Sequence, residues 1–97
     1  MDPRIEKIVC HYGFLHQLGK AKEELYELVE AIEKFQKAVS DGDMDNKEKG
    51  LNHMAEEIAD VRIMVDQLEL AMGKEKQCEV IREFKLDRQM QRIERGE

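Results

Sequence analysis

Two long runs of apolar residues at helical spacing, separated by a short polar segment, most constrain the fold of this chain. Steps of three and four between apolar positions indicate amphipathic α-helices. The first run, from Phe14 or Leu15 to about Val39, has Leu18, Ala21, Leu25, Leu28, Ile32, Phe35 and Val39 at these positions. The second, from about Lys47 or Lys49 to Met72, has Leu51, Met54, Ile58, Val61, Val65, Leu68 and Met72. We therefore predict two long helices that pair as an antiparallel hairpin.

The rest of the chain also favours helices. With 97 residues, 39% charged and 5% aromatic, and with Pro3 as the lone proline, the composition indicates one helical domain. Asp2 is placed to cap a first helix that ends near Gly13, and Gly73 separates the second run from a last helix. The polar segment "SDGDMDNKEKG", residues 40–50, is predicted to be the loop of the hairpin. The predicted fold class is all-α, a single domain over residues 1–97 forming an antiparallel bundle of about four helices.

The second long helix is apolar on more than one face. Its additional apolar residues are Ala55, Ala59, Ile63, Met64 and Leu70. A helix of this kind is normally central in a fold or packed against another subunit. We therefore expect the chain to form a homo-oligomer through its central helices.

Composition and charge exclude several classes of function. A net charge of -6, with basic residues interspersed among acids, argues against general nucleic-acid binding. No apolar run approaches the length of a membrane span, so no membrane partner is expected. Cys10 and Cys78 are far apart and form no CxxC pair, and no secretion signal is present. Reduced thiols in a cytoplasmic protein are the expectation.

Two groups of acids lie at matched positions in the predicted hairpin. If the turn is centred on Gly42, residues whose numbers sum to 84 face each other, so Glu27 faces Glu57 and Glu24 faces Asp60. Each acid also precedes an apolar residue of its run, which places all four on the same side of the hairpin. Four carboxylates without His or Cys suit a hard cation, Mg²⁺ or Mn²⁺. The alternative is a solvated acidic face, but the matched spacing on both helices favours the metal site.

Other metal sites fit this sequence poorly. An EF-hand loop beginning at Asp41 would have Asn46 at its glycine position and Asn52 where the bidentate glutamate belongs. The Glu-x-x-His motif of di-iron bundles is absent, as are HExxH and Cys/His zinc spacings. Of the three histidines, only His16 is expected near the carboxylates.

The acidic motifs resemble those of the MazG-like, all-α NTP pyrophosphohydrolases, whose mark is E-E-x-x-E followed by E-x-x-D. The chain has "EELYE" at Glu23 to Glu27 and "EIAD" at Glu57 to Asp60, and "QLGKAKEELYEL", "AEEIADVRIMVDQL" and "KLDRQMQRIERG" are similar to small members of the family. The resemblance implies Mg²⁺-dependent hydrolysis of a nucleoside triphosphate to a monophosphate and pyrophosphate, in a dimer or tetramer. It implies that Glu24, Glu27, Glu57 and Asp60 hold the metal, with Glu23 orienting the attacking water or merely solvated.

Three further residues are candidates for contact with the substrate. Lys85 and Arg88 belong to a basic stripe on the last helix that could reach the phosphates, although neighbouring acids could instead pair with them. Gln17, with Phe14 or Tyr12, is the candidate for contact with the base. Two alternatives stay open: a non-catalytic helical adaptor, and a related pyrophosphatase acting on dUTP or phosphoribosyl-ATP.

Overall fold

The computed structural model describes all 97 residues and consists of four α-helices without strands. The helices are α1 (Pro3–Tyr12), α2 (Phe14–Asp41), α3 (Met44–Met72) and α4 (Glu75–Glu94). The all-α class and the number of helices are thus confirmed. No helix combines the length and the apolar composition needed to cross a bilayer.

Helices α2 and α3 form an antiparallel hairpin whose turn consists of two residues, Gly42 and Asp43. Gly42 adopts the left-handed conformation at φ 69° that ends many helices. The side chain of Asp43 caps α3 by accepting a hydrogen bond of 3.1 Å from the backbone N–H of Asn46. The prediction of a loop over residues 40–50 was therefore wrong: the helix begins at Met44, because the polar residues there form a cap and an exposed first turn.

The facing residues of the hairpin confirm the predicted register. Gln17 Nε2 donates a hydrogen bond of 2.8 Å to Gln67 Oε1, and these residue numbers sum to 84. Near the turn, the backbone of Gly50 lies beside Phe35, where an added Cβ would meet Phe35 atoms at 3.5 Å. These contacts lie near the open end and near the turn of the hairpin, so the register extends along most of its length.

The buried face of the hairpin differs from the face marked by the apolar runs. The buried residues of α2 are Gln17, Ala21, Glu24, Ala31 and Ala38, and those of α3 are Glu57, Met64 and Gln67. Small and polar side chains thus occupy much of the helix contact, which brings the two backbones close together. The remaining apolar residues form an outer surface, here named the apolar stripe, that recurs every seven residues: Leu18, Leu25, Ile32 and Val39 on α2, and Leu51, Ile58, Val65 and Met72 on α3. Most of these side chains are exposed; Leu25, for example, is 49% exposed.

Helices α1 and α4 contact the hairpin very differently. Helix α1 buries Ile5 and Val9 and packs against both α2 and α3. Helix α4 contacts only α3 and has no buried residue. The radius of gyration is 17.0 Å, whereas a compact domain of this length has about 13 Å. One end of the chain, α4, therefore lacks the packing that helices of a bundle normally have.

Candidate metal centre

Two of the glutamates singled out from the sequence lie in the helix contact itself. Glu24 on α2 is 8% exposed and Glu57 on α3 is 7% exposed. Their positions continue the buried face of small residues, with Ala21 one turn before Glu24 and Ala31 two turns after it. Because short alanine side chains hold the helices close together, the two carboxylates project into the same space.

The carboxylates of Glu24, Glu57 and Asp60, here named the carboxylate cluster, converge on one point. One oxygen atom from each lies within 4.8 Å of the other two. Oxygen ligands bind Mg²⁺ at about 2.0–2.1 Å and Ca²⁺ at about 2.3–2.6 Å, so two ligands of one ion are at most about 4.2 Å apart around Mg²⁺ and about 5 Å apart around Ca²⁺. The spacing of the cluster therefore suits a single divalent cation, and around Mg²⁺ the carboxylates would close by up to about 0.6 Å.

The buried oxygens of the cluster lack hydrogen-bond partners. Neither Glu24 Oε2 nor Glu57 Oε2 accepts a hydrogen bond, although both atoms are inaccessible to solvent. A buried carboxylate oxygen without a partner is costly, and such groups normally pair with cations or coordinate metals. An exposed, solvated acidic face would not have this feature. The cluster therefore has the chemistry of a cation site.

The pKa of Glu24 is raised above its usual value. The main cause is burial, followed by the nearby Glu27 carboxyl, while the charge of Asp60 adds to the effect. Lys20 acts in the opposite direction, since its Nζ lies 3.4 Å from Glu24 Oε1. A divalent cation at this position would reverse the shift, because it favours the ionised form.

Glu27 and Glu23 lie at the margin of the cluster. Glu27 is exposed and contributes no oxygen to the group of three, although it is close enough to raise the pKa of Glu24. Glu23 is also exposed, and its Oε2 lies 3.5 Å from Lys20 Nζ. The structure therefore brings together three of the four predicted metal ligands, with Glu27 beside them.

Two basic residues near the cluster were missed by the sequence analysis. They are Lys20 and His53, which precede Glu24 and Glu57 by four residues each. His53 Nε2 lies 3.9 Å from Glu57 Oε1, so the expectation that only His16 would be near the carboxylates was wrong. His16 instead contacts the Gln17 side chain through Nδ1 at 2.7 Å. The signal for both residues was their position on the same helix, four residues before a glutamate of the cluster.

The three predicted substrate-contact residues lie in different parts of the molecule. Gln17 is 4% exposed and its amide bonds Gln67 and His16, so it serves the hairpin contact. Lys85 and Arg88 lie on α4, which does not contact α2 within one chain. Their contact with phosphate therefore stays a prediction.

Comparison of the chain with protein-family models, with curated proteins and with solved structures returned no match. The resemblance to MazG-like enzymes thus depends on the acidic motifs and the neighbouring segments.

Proposed function

We propose that the chain is a Mg²⁺-dependent nucleoside triphosphate pyrophosphohydrolase, which converts a nucleoside or deoxynucleoside triphosphate and water into the monophosphate and pyrophosphate. The observation that supports this most is the carboxylate cluster, in which one oxygen from each of three residues lies within 4.8 Å of the other two, and in which the buried Oε2 atoms of Glu24 and Glu57 lack hydrogen-bond partners. All-oxygen ligand sets favour Mg²⁺ or Mn²⁺ over softer metals.

The carboxylate cluster would serve hydrolysis between the α- and β-phosphates. A cation held by Glu24, Glu57 and Asp60 can bind phosphate oxygens and lower the pKa of a bound water. The water oxygen forms a bond to the α-phosphorus as the bond to the bridging oxygen breaks, and pyrophosphate leaves with that electron pair. In this mechanism Glu23 and Glu27, which are exposed at the margin of the cluster, would orient the water and accept its proton.

A cavity beside the cluster supports a nucleotide as the substrate. This aromatic cavity, of about 560 Å³, is lined by Tyr12, His16, Gln17, Gly19, Lys20 and Glu23. The rings of Tyr12 and His16 are stacked, with centroids 5.5 Å apart. Aromatic faces of this kind stack on nucleobases. Because Lys20 also contacts Glu24, a base in this cavity would leave its phosphates directed at the cluster.

The apolar stripe supports a homo-oligomer, a dimer or a tetramer, as the working form. Apolar residues that recur every seven positions on two adjacent helices fit the core of a four-helix assembly. Two hairpins that pack their stripes together would bury side chains such as Leu25 and Val65, which are 49% and 42% exposed in the single chain. Such packing joins the central helices of both copies.

A non-catalytic adaptor is the second candidate, and helix α4 is the observation that favours it. Val80, Phe84 and Ile93 are each more than 60% exposed on this helix. A helix that leaves large apolar side chains exposed and packs against only one other helix is typical of interaction proteins. In that case the carboxylate cluster would have no catalytic role.

Pyrophosphate release distinguishes the two candidates. We expect the protein to release pyrophosphate from members of a panel of NTPs and dNTPs, with dUTP and phosphoribosyl-ATP included, in Mg²⁺ but not in EDTA. Glu57→Gln removes a buried ligand and should abolish most of the turnover. Glu33→Gln is the matched control, because Glu33 lies nine residues after Glu24 and thus on the opposite side of α2. Absence of turnover for every nucleotide would favour the adaptor.

A further inference from the structure

A second cavity lies between α2 and α3, on the side of the carboxylate cluster that faces the hairpin turn. This lysine cavity, of about 440 Å³, is lined by residues of both helices and the turn, among them Ala31, Lys34, Asp41, Asp43, Lys49 and His53. It adjoins the cluster through His53, whose Nε2 is 3.9 Å from Glu57 Oε1. A ligand bound at the cluster could therefore extend into it.

The acids of the lysine cavity are occupied by neighbouring groups. Asp41 accepts a bond of 2.8 Å from Lys37 Nζ. Asp43 accepts bonds from the backbone and the side chain of Asn46, at 3.1 and 2.6 Å. Both bonds lower the pKa of Asp43, and the bond from the backbone N–H has the larger effect. The Asp43 carboxylate therefore stays ionised and caps the helix.

Two lysines of the cavity are free of such partners. Neither Lys34 nor Lys49 forms an ion pair, although the charge of Lys49 helps to lower the pKa of Asp43. His53 lies at the end of the cavity nearest the cluster, where its two ring nitrogens face Glu56 and Glu57 at 3.9 Å. The available charge in the cavity is therefore positive, in a protein whose net charge is -6.

The order of sites along the hairpin matches the parts of a nucleoside triphosphate. The aromatic cavity ends at Glu23, the cluster begins at Glu24, and the lysine cavity begins at Ala31. At a rise of 1.5 Å per residue, Ala31 is about 10 Å beyond Glu24 along α2. Lys34 lies one turn beyond Ala31, about 15 Å from Glu24 along α2, and its side chain extends back towards the cluster, because side chains on a helix tilt towards its N-terminus.

We propose that the lysine cavity binds the terminal phosphates of the triphosphate, and that Lys34 and Lys49 are the residues that contact them. This assignment rests on the proposed function and extends it to the leaving group. The base occupies the aromatic cavity, the α-phosphate lies at the cluster, and pyrophosphate departs from the lysine cavity. Positive charge there offsets the charge that develops on the leaving group.

Binding of inorganic pyrophosphate, measured by calorimetry on the full chain in Mg²⁺ and again in EDTA, tests the assignment without requiring turnover. Loss of a charge-assisted hydrogen bond should weaken pyrophosphate binding about tenfold in Lys34→Met or Lys49→Met. Lys49→Arg should restore it. Binding of a nucleoside monophosphate should be unchanged, because the monophosphate lacks the terminal phosphates. Lys22→Met is the control, since Lys22 is exposed on α2 and lines neither cavity.

The possible failures are distinguishable. If both methionine variants bind pyrophosphate like the parent in Mg²⁺ and in EDTA, the lysine cavity is not the phosphate site, whether or not the chain hydrolyses nucleotides. If no nucleotide is hydrolysed but pyrophosphate binding still depends on Lys34 and Lys49, the proposed function fails and the cavity is supported as an anion site. An equal loss of monophosphate binding in the variants would also overturn the assignment, because it would show a general effect on the site.

Discussion

Replacing Glu57 by glutamine should stabilise the metal-free protein, because it removes one charge from a crowded group. Two carboxylate charges 4.8 Å apart repel each other by about 3 kcal/mol at an effective dielectric constant of about 20. Lys20, at 3.4 Å from Glu24, already offsets part of this repulsion. We therefore expect a net gain of roughly 1 kcal/mol in the free energy of unfolding, or about 4–8 °C in the melting temperature.

The same substitution should remove most of the response to Mg²⁺. A cation that binds only the folded state adds about 2.7 kcal/mol of stability at one hundred times its dissociation constant. For a domain of this length, that gain corresponds to a shift of more than about 10 °C for the parent. Glutamine offers a neutral oxygen in place of a charged ligand, so the shift in the variant should be small at the same concentration.

Thermal unfolding followed by circular dichroism, in EDTA and across a Mg²⁺ series, measures both effects. Glu33→Gln should melt like the parent in both conditions, because it lies on the opposite side of α2. If Glu57→Gln is destabilised in EDTA and keeps the full Mg²⁺ shift, the carboxylate cluster is not the metal site and the reasoning is refuted.

Three further predictions concern the fold and its assembly. Gly50→Ala should raise the free energy of unfolding by about 0.5–1 kcal/mol in urea, because glycine is unfavourable inside a helix and the new methyl would meet Phe35 at an ordinary 3.5 Å; a loss of stability would contradict the packing described. Gln67→Leu should lower the free energy of unfolding by about 1–3 kcal/mol, because Gln17 Nε2 loses its acceptor. Replacing both Gln17 and Gln67 by leucine should cost less than the sum of the two single replacements. Light scattering should give a mass that is a multiple of 11.4 kDa, reduced by Leu25→Gln in the apolar stripe; a monomeric parent at micromolar concentration would argue against the oligomer.

The sequence predicted the helices well but not the turn between them. Apolar spacing and glycine positions located all four helices, and the facing pair Gln17 and Gln67 confirms the register. The turn was placed over residues 40–50 because polar residues such as Asp43 and Asn46 are common both in loops and at helix starts. Whether Asp43 caps a helix depends on a hydrogen bond that composition does not specify.

The carboxylate cluster was predicted more accurately than its surroundings. Matched spacing on two helices predicted that Glu24, Glu57 and Asp60 would meet, as they do. The buried face of the hairpin was not predicted: alanines and the two glutamates are buried there, whereas Leu25 of the first apolar run is exposed. The sequence of a helix with two apolar faces does not indicate which face packs within its own chain and which face stays exposed.

The two-residue turn also constrains which insertions and deletions this chain can tolerate. With only Gly42 and Asp43 between the helices, one residue inserted into α3 before Glu57 would rotate that side chain by about 100° away from Glu24. The interval of 29 residues between Glu27 and Glu57 is therefore a fixed dimension. A variant with a shorter hairpin keeps the carboxylate cluster only if each helix loses about one turn, roughly seven residues in all. Lengths in between would keep the helices and lose the cluster.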